Sequence, residues 1–318
     1  MKIKVGIIGA GNMGKNHIRL AREMNNEFEF VGVYDPDENR INSLGLSKEC
    51  FNSEDQLIDA ADAVIVAAPS SLHKKIALKT AAAGKHLLVE KPLALSAEDA
   101  QEVVDAYADT GLILQVGHVE RFNPVVLELE KIVLNEDIVA VHIERCSSMD
   151  RRISDTDVVY DLMIHDIDIL MNGLIPNATV DVIHSFGSKV YSENYVDYVD
   201  SSMRFDNNVI GSVISSRTTE QKIRKVFIHC RTSFIDADLL NRSLTISRKT
   251  SYNLDIGYDP VYRQETIVEK VFVSNKEPLK AELEHFYNCI INGQKPKTSG
   301  ESAVRSIKVL DSIKKNLY

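Results

Sequence analysis

Residues 158–170 read V-V-Y-D-L-M-I-H-D-I-D-I-L, in which Asp161, His165 and Asp168, with Asp166 beside them, are set in an otherwise largely apolar run. Wound at 3.6 residues per turn, Asp161, His165, Asp168 and Asn172 fall on one narrow stripe. Leu162, Met163, Ile164, Ile167, Ile169, Leu170 and Met171 cover the rest of the circumference, and only Asp166 breaks the pattern. A helix apolar nearly all round is a buried helix. Its polar stripe is therefore either a self-satisfied ladder inside a core or the wall of a cavity that binds something polar, since unpaired buried charge is costly. An imidazole, with its ordinary pKa of about 6.5, can take or give a proton near neutral pH. The cluster offers one imidazole and no H-E-x-x-H pair, so no metal site is expected.

A second chemical signal stands at the N-terminus. The β-rich run I-K-V-G-I-I-G leads into G-A-G-N-M-G, so Gly9, Gly11 and Gly14 satisfy G-x-G-x-x-G. In such a loop the first glycine makes the tight turn and the second lets the backbone approach a pyrophosphate. The third lets the helix pack closely on the strand. The loop, with Asn12 and Met13, opens a helical segment over 13–24 whose first amides would face a phosphate. The next strand, E-F-V-G-V-Y-D, ends in Asp35, near the spacing expected of a carboxylate that binds the ribose 2′-hydroxyl. Pro36 and Asp37 follow with no cation for a 2′-phosphate, so NAD rather than NADP is the expected cofactor. A third signal is V-E-K-P-L at 89–93, where proline pushes Lys91 out of the α region at a strand end.

These groups must be positioned by alternating elements. Strands at 63–68, 86–90 and 112–116 alternate with helices at 72–83 and 96–109, which implies right-handed βαβ crossovers and a parallel sheet. Ligands of such sheets bind beyond the carboxyl ends of the strands. After Gly117 the pattern changes: helix over 122–134, strand over 138–147, the 158–170 helix, and then β-branched strands and turns from 179 to 273. Two amphipathic helices close the chain near 277–292 and 300–315. The expected fold is α/β: a Rossmann domain over 1–118 and an α+β domain with a largely antiparallel sheet over 119–318, its last helix packing back on the first domain.

Of the 318 residues, 37 are Lys or Arg and 46 are Asp or Glu, a formal charge of −9 that argues against a nucleic-acid surface but not against a local cationic pocket. No apolar run reaches the roughly 20 residues that span a bilayer. The four cysteines (Cys50, Cys146, Cys230, Cys289) form no C-x-x-C or disulfide framework, and the N-terminus holds a strand rather than a cleavable signal. A cytoplasmic protein is expected.

Taken in order, G-A-G-N-M-G, V-E-K-P-L and D-L-M-I-H-D-I-D resemble the Gfo/Idh/MocA family of sugar and cyclitol oxidoreductases over most of the chain. The resemblance implies that Lys91, Asp161 and His165 form the active site, with Lys91 or His165 taking the proton of a secondary alcohol. It also implies that Pro69, Ser70, His73, Glu90 and Lys91 join the glycine loop and Asp35 around NAD. Pro69-Ser70 stands where the family often has Pro-Asn, and Thr156-Asp157 where it often has glycines. Residues 116–124, V-G-H-V-E-R-F-N-P, and R-R-I-S-D before the helix resemble the branch that makes 3-keto UDP-sugars. That places Arg121, Asn123, Arg151 and Arg152 at the substrate, expected to be UDP-N-acetylglucosamine or a derivative oxidised at the 3-hydroxyl. A free sugar or inositol would use the same three catalytic groups, and a non-catalytic NAD-binding regulator is the alternative from another class. A homodimer or homotetramer is what the family suggests.

Overall fold

The structure is a computed structural model describing residues 1–149, 157–191, 193–256 and 259–317. The chain forms two compact units, Met1–Phe122 with Lys276–Lys308, and Asn123–Asn275 with Val309–Tyr318. Where the sequence suggests one break at 118/119, the chain therefore passes between units three times.

The first unit holds β1 (Ile3–Ile8), α1 (Asn12–Glu23), β2 (Phe28–Tyr34), α2 (Glu38–Ser43), α3 (Glu54–Ala60), β3 (Ala63–Val66), α4 (His73–Ala82), β4 (His86–Glu90), α5 (Ala97–Tyr107) and β5 (Leu114–Gly117). The five strands are parallel in the order β2-β1-β3-β4-β5. Every residue of β3 is buried, as expected of a strand covered on both faces. Ser53 and Ser96 cap α3 and α5 by accepting the amides of Gln56 and Asp99. The helix Pro278–Asn292 belongs here because its apolar stripe, Leu279, Leu283, Phe286 and Cys289, joins the core that contains Ile7, Leu20 and Val33. The reversal of strand order lies between β1 and β3, so the glycine loop after β1 opens at the switch point where such sheets bind ligands.

The second unit holds α6 (Pro124–Val133), β6 (Ile138–Cys146), α7 (described below), β7 (Val180–Ser188), β8 (Tyr198–Phe205), β9 (Ile210–Ser216), β10 (Ile223–Cys230), β11 (Ser233–Asp238), β12 (Ser243–Ile256) and β13 (Asp259–Lys270). Its sheet runs β13-β12-β11-β10-β6-β9-β8-β7, antiparallel throughout except for the parallel pair β6–β9. The D-N-N turn joins β8 to β9 with Asn208 at φ 65°, a left-handed position that asparagine tolerates. No helix among the described residues is long and apolar enough to cross a membrane.

The helix of the second unit departs from uniform α-winding. One α-helical turn, Ile164–Asp168, lies between wider π-helical stretches, Val159–Met163 and Ile169–Leu174; together these are α7. Bonds that span five residues widen a turn. A residue and its fourth neighbour stay close to one face in either winding, so Asp161 and His165 keep their relation.

Candidate active site

In the first unit the cofactor end is built by β1, the loop that follows and α1. Gly9 sits at φ 100°, and a Cβ there would lie 2.5 Å from the Ala67 carbonyl oxygen. A Cβ on Gly14 would lie 1.9 Å from the Gly9 oxygen, so α1 could not pack so closely on any other residue. At Gly11 a Cβ would meet nothing within 4 Å, so this is the open side of the turn, where a phosphate can approach the backbone. No side chain caps α1 and its first turn, which begins with the exposed Asn12 and half-buried Met13, carries no acid. That leaves its amides and positive dipole end for an anion.

Asp35 follows β2 and is buried. Its carboxylate accepts the Ala10 amide at 2.7 Å and the Asp37 amide at 2.9 Å, which fixes it beside the glycine loop. These features fit an NAD adenosine-diphosphate half: an open backbone cradle, uncapped helix amides and an oriented carboxylate. One cation is nearer than the sequence suggests, because α2 returns Arg40 to 3.7 Å from Asp35 and 3.2 Å from Asp37.

The ends of β3 and β4 complete this half. Pro69 and Ser70 open a short turn after β3. Behind it His73 is buried, with Nδ1 2.7 Å from the Pro92 carbonyl and Nε2 2.9 Å from the Ala68 carbonyl. Both ring nitrogens are thus engaged by backbone, and the ring clasps the two strand ends. Glu90, the last residue of β4, lies 2.8 Å from His17 Nε2 and under Gly117, where a Cβ would meet its carboxylate at 3.0 Å. Lys91 is half-buried directly after β4, before a cis Pro92. Arg121 is buried in the turn Val119–Phe122, its carbonyl accepting from Lys297 at 3.1 Å.

In the second unit α7 carries the stripe that opened the sequence reading. Asp161 and His165 are half-buried, and Asp168 is buried and accepts from Asn172 at 2.8 Å. Asp166, the residue out of pattern, points instead at the sheet, where it pairs with Arg145 of β6. Asp161 and Leu162 form part of the wall of a cavity of about 710 Å³ whose other walls include Arg145, Arg217, Lys222 and Arg224. This volume is within the usual range for small-molecule sites. Cys146 also lines it; burial, and then Glu144, push that thiol up to about 12, so it stays protonated and is a poor nucleophile.

Arg145, Arg217, Lys222 and Arg224, the cavity cations among the described residues, were not singled out by the sequence reading. Arg145 had a signal: it continues the inward phase of β6 after Val141 and Ile143, and a charge at an inward position needs a partner. The substrate-site residues that were singled out fare differently. Arg151 and Arg152 lie outside the described residues. Asn123 spends its side chain capping α6, accepting the Val125 amide at 3.0 Å and donating to the Leu239 carbonyl at 3.4 Å.

Residues 3–118 match the profile described as "Oxidoreductase family, NAD-binding Rossmann fold", GFO_IDH_MocA. This Rossmann domain belongs to the Gfo/Idh/MocA oxidoreductases. Similarity to members of that group extends over nearly the whole chain. It is 27% identical over 290 residues to UDP-N-acetylglucosamine 3-dehydrogenase of Acidithiobacillus ferrooxidans, covering 91% of this chain and 88% of that one. A solved structure of that enzyme superposes with a TM-score of 0.87 at 25% identity, covering 100% of this chain and 98% of the other. The scyllo-inositol 2-dehydrogenase (NAD(+)) of Bacillus subtilis is 26% identical over 327 residues, 97% of this chain and 92% of its own. Levoglucosan dehydrogenase, solved with NADH and levoglucosan, shares the fold (TM-score 0.85, 19% identity, 99% and 97% covered). The chain is an NAD-dependent oxidoreductase acting on CH–OH groups.

Proposed function

We propose that this Gfo/Idh/MocA protein oxidises a ring secondary hydroxyl of a nucleotide-activated sugar, namely the 3-hydroxyl of UDP-N-acetylglucosamine or a close derivative. The observation that carries this reading is the end-to-end likeness to a UDP-N-acetylglucosamine 3-dehydrogenase, in both sequence and fold. Lys91, Asp161 and His165 are the three groups proposed to work on the substrate. When bound, NAD supplies the hydride acceptor. His165 takes the hydroxyl proton as general base, a contribution typically worth about 10²- to 10⁴-fold. The Lys91 ammonium donates a hydrogen bond to the same oxygen and stabilises its growing negative charge. Asp161, one turn before His165, orients the imidazole or a neighbouring substrate hydroxyl.

The test is NADH formation across a panel of UDP-sugars, sugar phosphates, free sugars and inositols. Turnover of UDP-N-acetylglucosamine well above that of myo-inositol and glucose is expected. Strong turnover of either neutral compound, with none on the UDP-sugar, overturns the substrate assignment. A protein that binds NAD and reduces it with nothing in the panel would be a regulator.

A further inference from the structure

We propose that the end of the last helix, Gly300–Lys315, is a brace that positions Asp161: Lys314 and Asp311 are positioning residues that grip Asp157 and Tyr160 at the entry of α7. The proposal rests on the reading of Asp161 as a working group of the site, and it names the residues through which that carboxylate is aimed. All of these residues lie in the second unit.

Two contacts make the grip. The Lys314 ammonium is 2.7 Å from the Asp157 carboxylate, and the Tyr160 hydroxyl donates to Asp311. The ammonium also stands 5.1 Å from the centre of the Tyr160 ring, within cation–π reach. Asp311 and Lys314 are three residues apart on one helix, and Asp157 and Tyr160 are three apart at the start of the other. That spacing brings each pair onto one face, so the two contacts lie side by side. The brace is itself fastened: Leu317, just past the helix, bridges Ser185 of β7.

What is gripped is the residue from which Asp161 hangs. Asp157 caps α7 by accepting the Tyr160 amide through Oδ1 at 3.1 Å, and its carbonyl accepts the Asp161 amide at 3.1 Å. The Asp157 side chain is only 10% exposed, so this pair is unlike the fully exposed ones that contribute little. Tyr160 is buried; burial, and then Asp311, push its phenol above the ordinary range, so it stays a donor. The turn that follows, Val159–Met163, is π-wound, a rare winding found mostly at functional sites. Fraying of this turn moves Asp161 first. His165 lies beyond it in the α-helical turn Ile164–Asp168, flanked in sequence by the fully buried Ile164 and Ile167. Misplacing a positioned group by about 1 Å can cost on the order of 10²-fold in rate.

The test is a double-mutant cycle on kcat, run with whichever sugar the wild type oxidises. Lys314→Met should lower kcat about tenfold, and Lys314→Arg should retain most of the wild-type rate. Tyr160→Phe should lower kcat several-fold, and KM for NAD should stay within a few-fold in all three. The deciding variant combines Lys314→Met with Asp161→Asn. A brace that works through Asp161 has nothing left to aim once the carboxylate is gone, so the double variant should match Asp161→Asn alone. Losses that multiply independently would show a general structural role and overturn the proposal. Wild-type kcat in both Lys314→Met and Tyr160→Phe, with Asp161→Asn impaired, also overturns it and leaves the proposed function standing. Wild-type kcat in Asp161→Asn removes that residue's role, and the brace with it. Melting midpoints establish that the variants are folded; Lys314 is 43% exposed, and Tyr160→Phe deletes a single oxygen.

Discussion

Arg145 of β6 and Asp166 of α7 form a buried bidentate ion pair, with Nε–Oδ2 at 2.8 Å and Nη2–Oδ1 at 2.8 Å, and side chains 3% and 1% exposed. This pair ties the helix bearing Asp161 and His165 to the sheet of its own unit. Removing one partner leaves a desolvated charge without its counterion, typically a loss of about 3–5 kcal/mol. Asp166→Ala should therefore lower the urea midpoint sharply. Arg145→Met/Asp166→Leu should recover most of that loss, because a volume-matched apolar pair is often no less stable. Equal destabilisation in the single and double variants would refute the pairing as the cause.

Cofactor choice rests on Asp35, with Arg40 behind it. The wild type should prefer NAD, because the Asp35 carboxylate repels a 2′-phosphate. Asp35→Ser removes that repulsion and leaves Arg40 beside the ribose position, so kcat/KM with NADP should rise at least about tenfold relative to NAD. Arg40→Ala in the Asp35→Ser background should take this gain away. Unchanged cofactor ratios in Asp35→Ser would show that selectivity is set elsewhere.

Glu282 gives the first unit a pH dependence of known sign. It is fully buried on the helix Pro278–Asn292, and neither carboxyl oxygen has a hydrogen-bond partner among the described residues. Burial, and then the neighbouring charge of Glu90, raise its pKa well above the ordinary carboxylate range. The folded protein thus keeps a proton that the unfolded chain releases near the usual value of about 4.3. The contribution is fully present below that value and is lost as pH rises toward the folded pKa. Glu282→Gln, neutral at every pH, should gain stability relative to wild type as pH goes from about 5 to about 8. Parallel urea midpoints across that range would show that Glu282 does not titrate between the two states.

Lys91→Ala and His165→Ala should each reduce turnover by at least about 10²-fold while NAD affinity, followed by fluorescence titration, changes only a few-fold. Asp161→Asn should lower kcat less severely. Wild-type-like turnover in the Lys91 or His165 variant would end the proposed mechanism. If both lose activity, the pH profile of Lys91→Arg separates the roles: a base at His165 leaves the acid limb of kcat/KM in place.

The sequence alone determined what depends on local chemistry. Gly9 and Gly14 are demanded by a positive φ and by backbone contacts that no side chain could share, and β3 is legible because a strand buried on both faces must be continuously apolar. The i, i+4 relation of Asp161 and His165 was readable because it survives either helical winding. Tertiary structure alone decided the partners. Asp166 looked like an error in the pattern until β6 set Arg145 against it, and Arg224 became a cavity cation only through its cross-strand register with Arg145. His73, read as a cofactor contact, has both ring nitrogens facing carbonyls from two separate loops. Periodicity states which way a side chain points along its own element. What it meets there is fixed by residues tens of positions away, brought near by the cooperative burial of a whole sheet.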